Sequence, residues 1–211
     1  MNDIEQLIKG LSKEAQPVNP APHPYLLSLQ WIGAAALYLI VTLALTGLRP
    51  DWRASLDDIW FAAEIVTLFA LFIVTALSAA LLAFPDLHQK RLLAYAPVVP
   101  AVLFVAVILS AWYADNPPAP LPEHSIECTC SILLTMLLPA LWTFYSLRRY
   151  ASTHYRLAGS IALLSAFSVG ALWLRLHEVN DSIAHVVEWH YLPMLSVGVL
   201  GLWLGKVLLK W

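Results

Sequence analysis

Residues 123–147 read EHSIECTCSILLTMLLPALWTFYSL. The stretch leaves a proline-rich loop, passes two acids, a histidine and both cysteines of the chain, and continues as an apolar run long enough to cross a bilayer. Reactive side chains set on the end of a lipid-length helix predict a polytopic helical membrane protein. Its chemical face would lie at one end of the bundle, and an output face with the N-terminal tail at the other.

Composition agrees. Of 211 residues, 60% are hydrophobic and 12% charged, with a mean hydropathy of +0.69. A soluble domain has roughly 45–50% apolar and about 25% charged residues. The expected class is therefore all-α and integral to the membrane. A net charge of -2 gives no sign of a nucleic-acid partner. No basic patch, zinc finger or Gly-rich phosphate loop is visible either. The first apolar run begins near Leu26, after an acidic, proline-rich lead that does not read as a cleavable signal.

Working outward from the quoted stretch, six runs reach bilayer length, at 26–48, 59–84, 92–113, 126–147, 156–176 and 190–209. They define a transmembrane domain over 26–211, preceded by a cytoplasmic segment, 1–25. Pro97, Pro100, Pro139 and Pro193 fall in or at the ends of these runs, which requires neighbours to satisfy the carbonyls they free. Gly198, Gly201 and Gly205 would let a second helix approach the last span closely. Trp31, Trp52, Trp60, Trp112, Trp189 and Trp211 read mostly as interfacial anchors. Over 2–15, Ile4, Leu7, Ile8, Leu11 and Ala15 form one apolar stripe of an amphipathic helix. Such a helix either frays or lies on lipid, or docks in a partner's groove. Pro17, Pro20, Pro22 and Pro24 make a stiff tether behind it.

Lys and Arg set the orientation. With the N-terminus inside, nine of the twelve, including Lys9, Lys90, Arg148 and Arg149, are internal, and only Arg49, Arg53 and Arg175 are external. Both termini are thus expected in the cytoplasm. Ten of fourteen acids, Glu123, Glu127 and Glu178 among them, fall outside with His124, His177, His185 and His190.

This outer group carries the candidate chemistry. Cys128 and Cys130 open the fourth span. On a regular helix their sulfurs point apart, and a disulfide across one residue would be strained. They read either as small inert packing thiols or as a redox or metal sensor in an oxidising compartment. His177, Asp181, His185 and Glu188 would share one narrow face if a single helix carried them. That face reads either as the wet side of a surface helix or as a group facing Cys128, joined by His190. Thiolate and imidazole from Cys128, Cys130, His185 and His190 would suit zinc or copper. Glu64, inside the second span, needs a partner, and Arg175 is the candidate for a structural ion pair.

Taken together, these residues resemble the NrsF-type (negative regulator of sigma F) integral-membrane anti-sigma factors. The likeness rests on the N-terminal helix and proline tether, the six spans, Glu127–Cys128 opening the fourth span, Pro139 within it, Arg148–Arg149 after it, and Trp189–His190 opening the sixth. It implies a non-enzyme of the bacterial inner membrane that holds an extracytoplasmic-function sigma factor and releases it under metal or oxidative stress. Cys128 matches the family's first cysteine. The second is expected in the loop before the sixth span, where this chain has none; Cys130 is its second thiol. A disulfide between the two outer loops is then out of reach. The stimulus is either a metal bound by Cys and His or oxidation of Cys128 with Cys130. The sigma factor would be held through Ile4, Leu7, Ile8 and Leu11. Two rivals are a membrane oxidoreductase or metal-handling protein using the outer group, and a small-solute transporter. The first lacks a mid-span His pair or a Cys-x-x-Cys, and the second lacks polar residues at mid-depth beyond Glu64.

Overall fold

The computed structural model describes residues 2–14, 21–85, 91–114, 125–150 and 152–210, and no strand occurs among them. Ala15, Pro17, Pro20, Lys90, Glu123, His124 and Trp211, named above, lie outside the described residues. After α1 (Asn2–Glu14) come α2 (Pro24–Thr46), a short α3 (Trp52–Asp57) and α4 (Ile59–Leu82). Then follow α5 (Arg91–Ala94), α6 (Val98–Ala114), α7 (Ile126–Leu147), α8 (Tyr155–His177) and α9 (Ile183–Leu208). Six stretches are long and apolar enough to cross a membrane: α2, α4, α5 with α6 over Leu92–Ala114, α7, α8 and α9.

Local chemistry explains where the helices begin and end. Pro24 opens α2, its fixed φ suiting the first turn, with His23 Nδ1 accepting the Tyr25 N–H. Gly47 ends it at φ +90°, a conformation that only glycine adopts without strain. Asp58 caps α4 by accepting the Trp60 and Phe61 N–H groups at 2.7 and 3.1 Å.

α8 is the axle. It is buried along most of its length and contacts α2, α4, α7 and α9. An all-round buried helix must offer small residues where others cross, and Gly159, Ser160, Ala162, Ala166, Gly170 and Ala171 do so. A Cβ on Gly159 would lie 2.5 Å from the Gly201 carbonyl oxygen, and one on Gly201 would lie 2.6 Å from Ser160 Cα. α8 and α9 therefore meet backbone to backbone. The close approach expected at Gly201 and Gly205 is present, with α8 as the partner, whereas Gly198 makes ordinary contact with Leu164.

Two of the prolines are answered from neighbouring helices. Pro139 cannot engage the Thr135 carbonyl, which accepts the Tyr38 hydroxyl from α2 at 2.9 Å. Pro193 cannot engage the Trp189 carbonyl, which accepts the Thr129 hydroxyl from α7 at 2.6 Å. These hydroxyls tie α2 to α7 and α7 to α9 while removing an unsatisfied acceptor from apolar surroundings.

The sixth long helix starts at Ile183 rather than at 190. Ile183, Ala184 and Val186 bury their side chains and carry the helix back toward α8. Its first part includes a π-helical turn over Val186–Tyr191, in which the Leu192 N–H reaches the Val187 carbonyl. The single-helix stripe of His177, Asp181, His185 and Glu188 does not form. α8 runs through His177, Glu178 turns extended (ψ 142°), Asp181 lies in the loop, and Ser182 precedes the next helix. Asn180 and Ser182 provide the reason: the Asn180 side chain accepts the Ser182 N–H in a local turn that competes with helix.

Replacing Gly201 with leucine forces overpacking against backbone and should cost about 1–3 kcal/mol. Thermal unfolding of the detergent-purified protein should fall for Gly201→Leu and stay near the parent for Gly198→Ala, whose added methyl meets only a Leu164 side chain at 3.5 Å.

Candidate functional site

Three elements meet at one end of the bundle. The first turn of α7 brings Cys128, the end of α8 brings Glu178, and the start of α9 brings His185 and His190. Glu178 is the hub. Its carboxylate oxygens both lie 3.6 Å from Cys128 Sγ, while Oε1 is 3.3 Å from His185 Nε2 and Oε2 is 3.1 Å from His190 Nε2. Cys128 Sγ is 3.7 Å from His185 Nε2. One donor atom from each of the four residues lies within 4.8 Å of every other. His185 and His190 are 1% and 0% exposed. Burial works against ionisation of Glu178, but the His190 and His185 imidazoles beside it prevail and hold its pKa below the usual carboxylate value.

The two imidazoles come together because of the π-turn. Residues five apart on an α-helix diverge by about 140°. The wider turn brings them nearly into line, and the rings sit edge to face with centroids 5.1 Å apart.

A second polar group adjoins the first. The Arg175 guanidinium on α8 forks onto Glu64 of α4 at 2.7 and 3.0 Å, the ion pair expected for Glu64. The Tyr191 hydroxyl, next to His190, donates to the same Glu64 carboxylate. Arg175 Nη1 also reaches the Asn180 carbonyl at 3.1 Å and Asp181 Oδ1 at 3.3 Å. Asp181 is shared with Arg49, which binds it at 2.8 and 2.6 Å and forks onto Asp51 at 2.8 and 2.9 Å. Both guanidiniums lie over the Phe61 ring, with Arg49 5.0 Å and Arg175 4.9 Å from its centroid. The hydrogen bonds that Asp181 and Asp51 accept push the Arg49 pKa upward, and Arg49 holds the Asp51 carboxyl at about 2.

Of the sensor residues expected from sequence, the structure gathers Cys128, His185 and His190. The others point elsewhere. Cys130 is exposed, about 200° around α7 from Cys128, and Glu127 and Glu188 are exposed too. Asp181 belongs to the arginine group. His177 stacks on Trp173 and donates from Nδ1 to the Gly47 carbonyl at 2.9 Å. There it joins the Trp173 Nε1–H bond to Thr46 Oγ1 at 3.0 Å and the Arg49 N–H bond to the Leu176 carbonyl at 2.9 Å. These three bonds clasp the end of α2 to the end of α8. Glu178, the hub, was missed as a site residue. Its signal was its place in the acid-rich outer segment, immediately after the last helical residue of α8.

On α1, Ile4, Leu7, Ile8 and Leu11 are each 60–65% exposed, an apolar stripe with no cover.

The chain was compared with known proteins. A family model described as negative regulator of sigma F matches residues 11–211. The anti-sigma-F factor NrsF of Caulobacter vibrioides (strain NA1000 / CB15N) is 28% identical over 215 residues, which cover 98% of this chain and 99% of that relative. No solved structure matches.

Removing one partner of the buried Glu64–Arg175 pair strands a charge, and Arg175→Met should cost about 3–5 kcal/mol. Adding Glu64→Leu to it should recover much of the loss in the same thermal assay. The Asp51 pair gives a pH test. The pKa is lowered from 3.8 to about 2, so its stabilisation is complete above the ordinary value and disappears as pH falls through about 2. The melting-temperature gap between the parent and Asp51→Asn should be full at pH 6 and close across that window.

Proposed function

The chain belongs to the negative regulator of sigma F family, and on that premise we propose that it is an anti-sigma factor of the bacterial inner membrane. It holds an extracytoplasmic-function sigma factor inactive and releases it when a metal or oxidative stimulus reaches the outer end of the bundle. The family match over residues 11–211 carries this reading.

The geometry supports a division of labour between the two ends. An even number of crossings leaves both termini on one side, and the lysines and arginines favour the cytoplasm for it. α1 is joined to the end of α2 remote from Cys128, and its uncovered stripe is the kind of face that docks in a groove. The opposite end holds a half-buried thiol and carboxylate beside two buried imidazoles in one group, where zinc, copper or an oxidant would act. α8 runs between the ends and touches α2, α4, α7 and α9, so a change at its last turn is felt across the bundle. A near-complete swing between holding and releasing states needs about 5.5 kcal/mol of differential binding. Metal–thiolate bonding is of that order or stronger.

Two measurements test this. Co-purified with its cognate sigma factor, the parent should retain it, whereas Leu7→Asp with Ile8→Asp should weaken capture by about 100-fold or more, through loss of two buried apolar anchors. Undiminished capture would remove α1 from the contact. In intact spheroplasts, a membrane-impermeant maleimide should label the exposed Cys130. Labelling only after lysis would reverse the orientation and end the proposal.

A further inference from the structure

We propose that Cys128 Sγ, one Glu178 carboxylate oxygen, His185 Nε2 and His190 Nε2 together bind a single divalent transition-metal ion of the zinc class. The regulatory meaning of this site rests on the sensor reading above, but the site itself stands on its own geometry.

Zinc bonds of about 2.3 Å to sulfur and about 2.0–2.2 Å to nitrogen and oxygen fix the edges of a tetrahedron at roughly 3.3 Å between N and O ligands and roughly 3.6 Å where sulfur takes part. The observed separations are 3.3 Å from His185 to Glu178 Oε1, 3.1 Å from His190 to Glu178 Oε2, 3.6 Å from sulfur to either oxygen, and 3.7 Å from sulfur to His185. The four donors all lie within 4.8 Å of one another, so a small closing movement of the side chains onto one ion completes the tetrahedron.

The hydrogen bonding provides a second, independent reason. His190 is wholly buried, and its Nε2 faces Glu178 yet makes no hydrogen bond of acceptable geometry. The nearest carboxylate oxygen, Glu178 Oε2, is 3.1 Å away but out of hydrogen-bond alignment. A buried imidazole nitrogen set this close to a carboxylate, yet misaligned for a hydrogen bond, is one that an ion shared with that carboxylate would satisfy.

Charge selects the class. On binding, the Cys128 thiol gives its proton to solvent, and thiolate plus carboxylate balance a dication. The filled site is then neutral, as a low-dielectric surrounding demands; copper(I) would leave it one negative charge in excess. Sulfur and nitrogen donors disfavour calcium and magnesium. Four protein ligands leave no open position, so the site is of the closed, structural or sensory kind.

The assignment separates the two thiols. Cys128 is a ligand and Cys130, exposed on another face of α7, is not. The test titrates the tag-free, full-length protein in detergent with cobalt(II), after removal of bound metal. The expected result is one ion per chain, an intense visible spectrum of tetrahedral cobalt, a thiolate-to-cobalt charge-transfer band in the near ultraviolet, and displacement by zinc. Cys130→Ser should keep all of these. Cys128→Ser should lose the charge-transfer band, and His190→Ala and Glu178→Gln should lose the tetrahedral spectrum. Glu178→Gln keeps the side chain's shape, so its loss of binding is not a folding defect. No binding, a weak octahedral spectrum, binding indifferent to Cys128 and His190, or equal dependence on Cys130 would each overturn the site. Because none of these readouts uses a sigma factor, failure here leaves the anti-sigma reading standing, and failure of sigma capture leaves the metal site standing.

Discussion

A guanidinium taken out of water must be met by charge and hydrogen-bond acceptors, and Arg175, with 3% of its side chain exposed, imposes that demand on the whole end of the bundle. Glu64 answers from α4, and Asn180 and Asp181 answer from the loop after α8. Tyr191, by donating to the same Glu64, fixes the rotation of α9. The loop cannot shift without breaking these bonds. That loop begins with Glu178 and leads to His185 and His190, so the buried pair is what holds the site in register.

The π-turn is the second constraint. It spends one residue that a regular helix would have used, and in return aligns two imidazoles that would otherwise diverge. It lies just before Pro193, which cannot complete the α-helical ladder, and the Thr129 hydroxyl takes up the carbonyl left over. Thr129 sits between Cys128 and Cys130. The same turn of α7 thus supplies both a sulfur to the site and the support for the irregular backbone beside it.

Much of this is legible in the sequence. The spans follow from length and apolar content, and α7 falls where it is expected, over 126–147. The Glu64–Arg175 pair is legible because a carboxylate inside a span has few places to go. The need for donors to the carbonyls that Pro139 and Pro193 free is legible too, though not that the Tyr38 and Thr129 hydroxyls would meet it. Three features were hidden. Glu178 belongs to no periodic pattern, because its role comes from standing at the point where α8 stops. The stripe from His177 to Glu188 had the right spacing for a helix, but Asn180 turns the chain and divides it. The convergence of His185 with His190 depends on a turn for which i, i+5 spacing carries no helical signal. Arg49 read only as one of three external cations, and its burial goes with the two aspartates that accept its hydrogen bonds.

The clasp between α2 and α8 has a mechanical consequence. Three hydrogen bonds pin one tip of α2 near Gly47, the Tyr38 hydroxyl ties its middle to α7, and Leu27, Ser28 and Trp31 are buried near its other end. With 23 residues, α2 is a rod about 35 Å long. Held at its tip, its middle and its far end, α2 follows the bundle as one rigid rod, so the place where the amino-terminal helix is attached is fixed relative to the clasp.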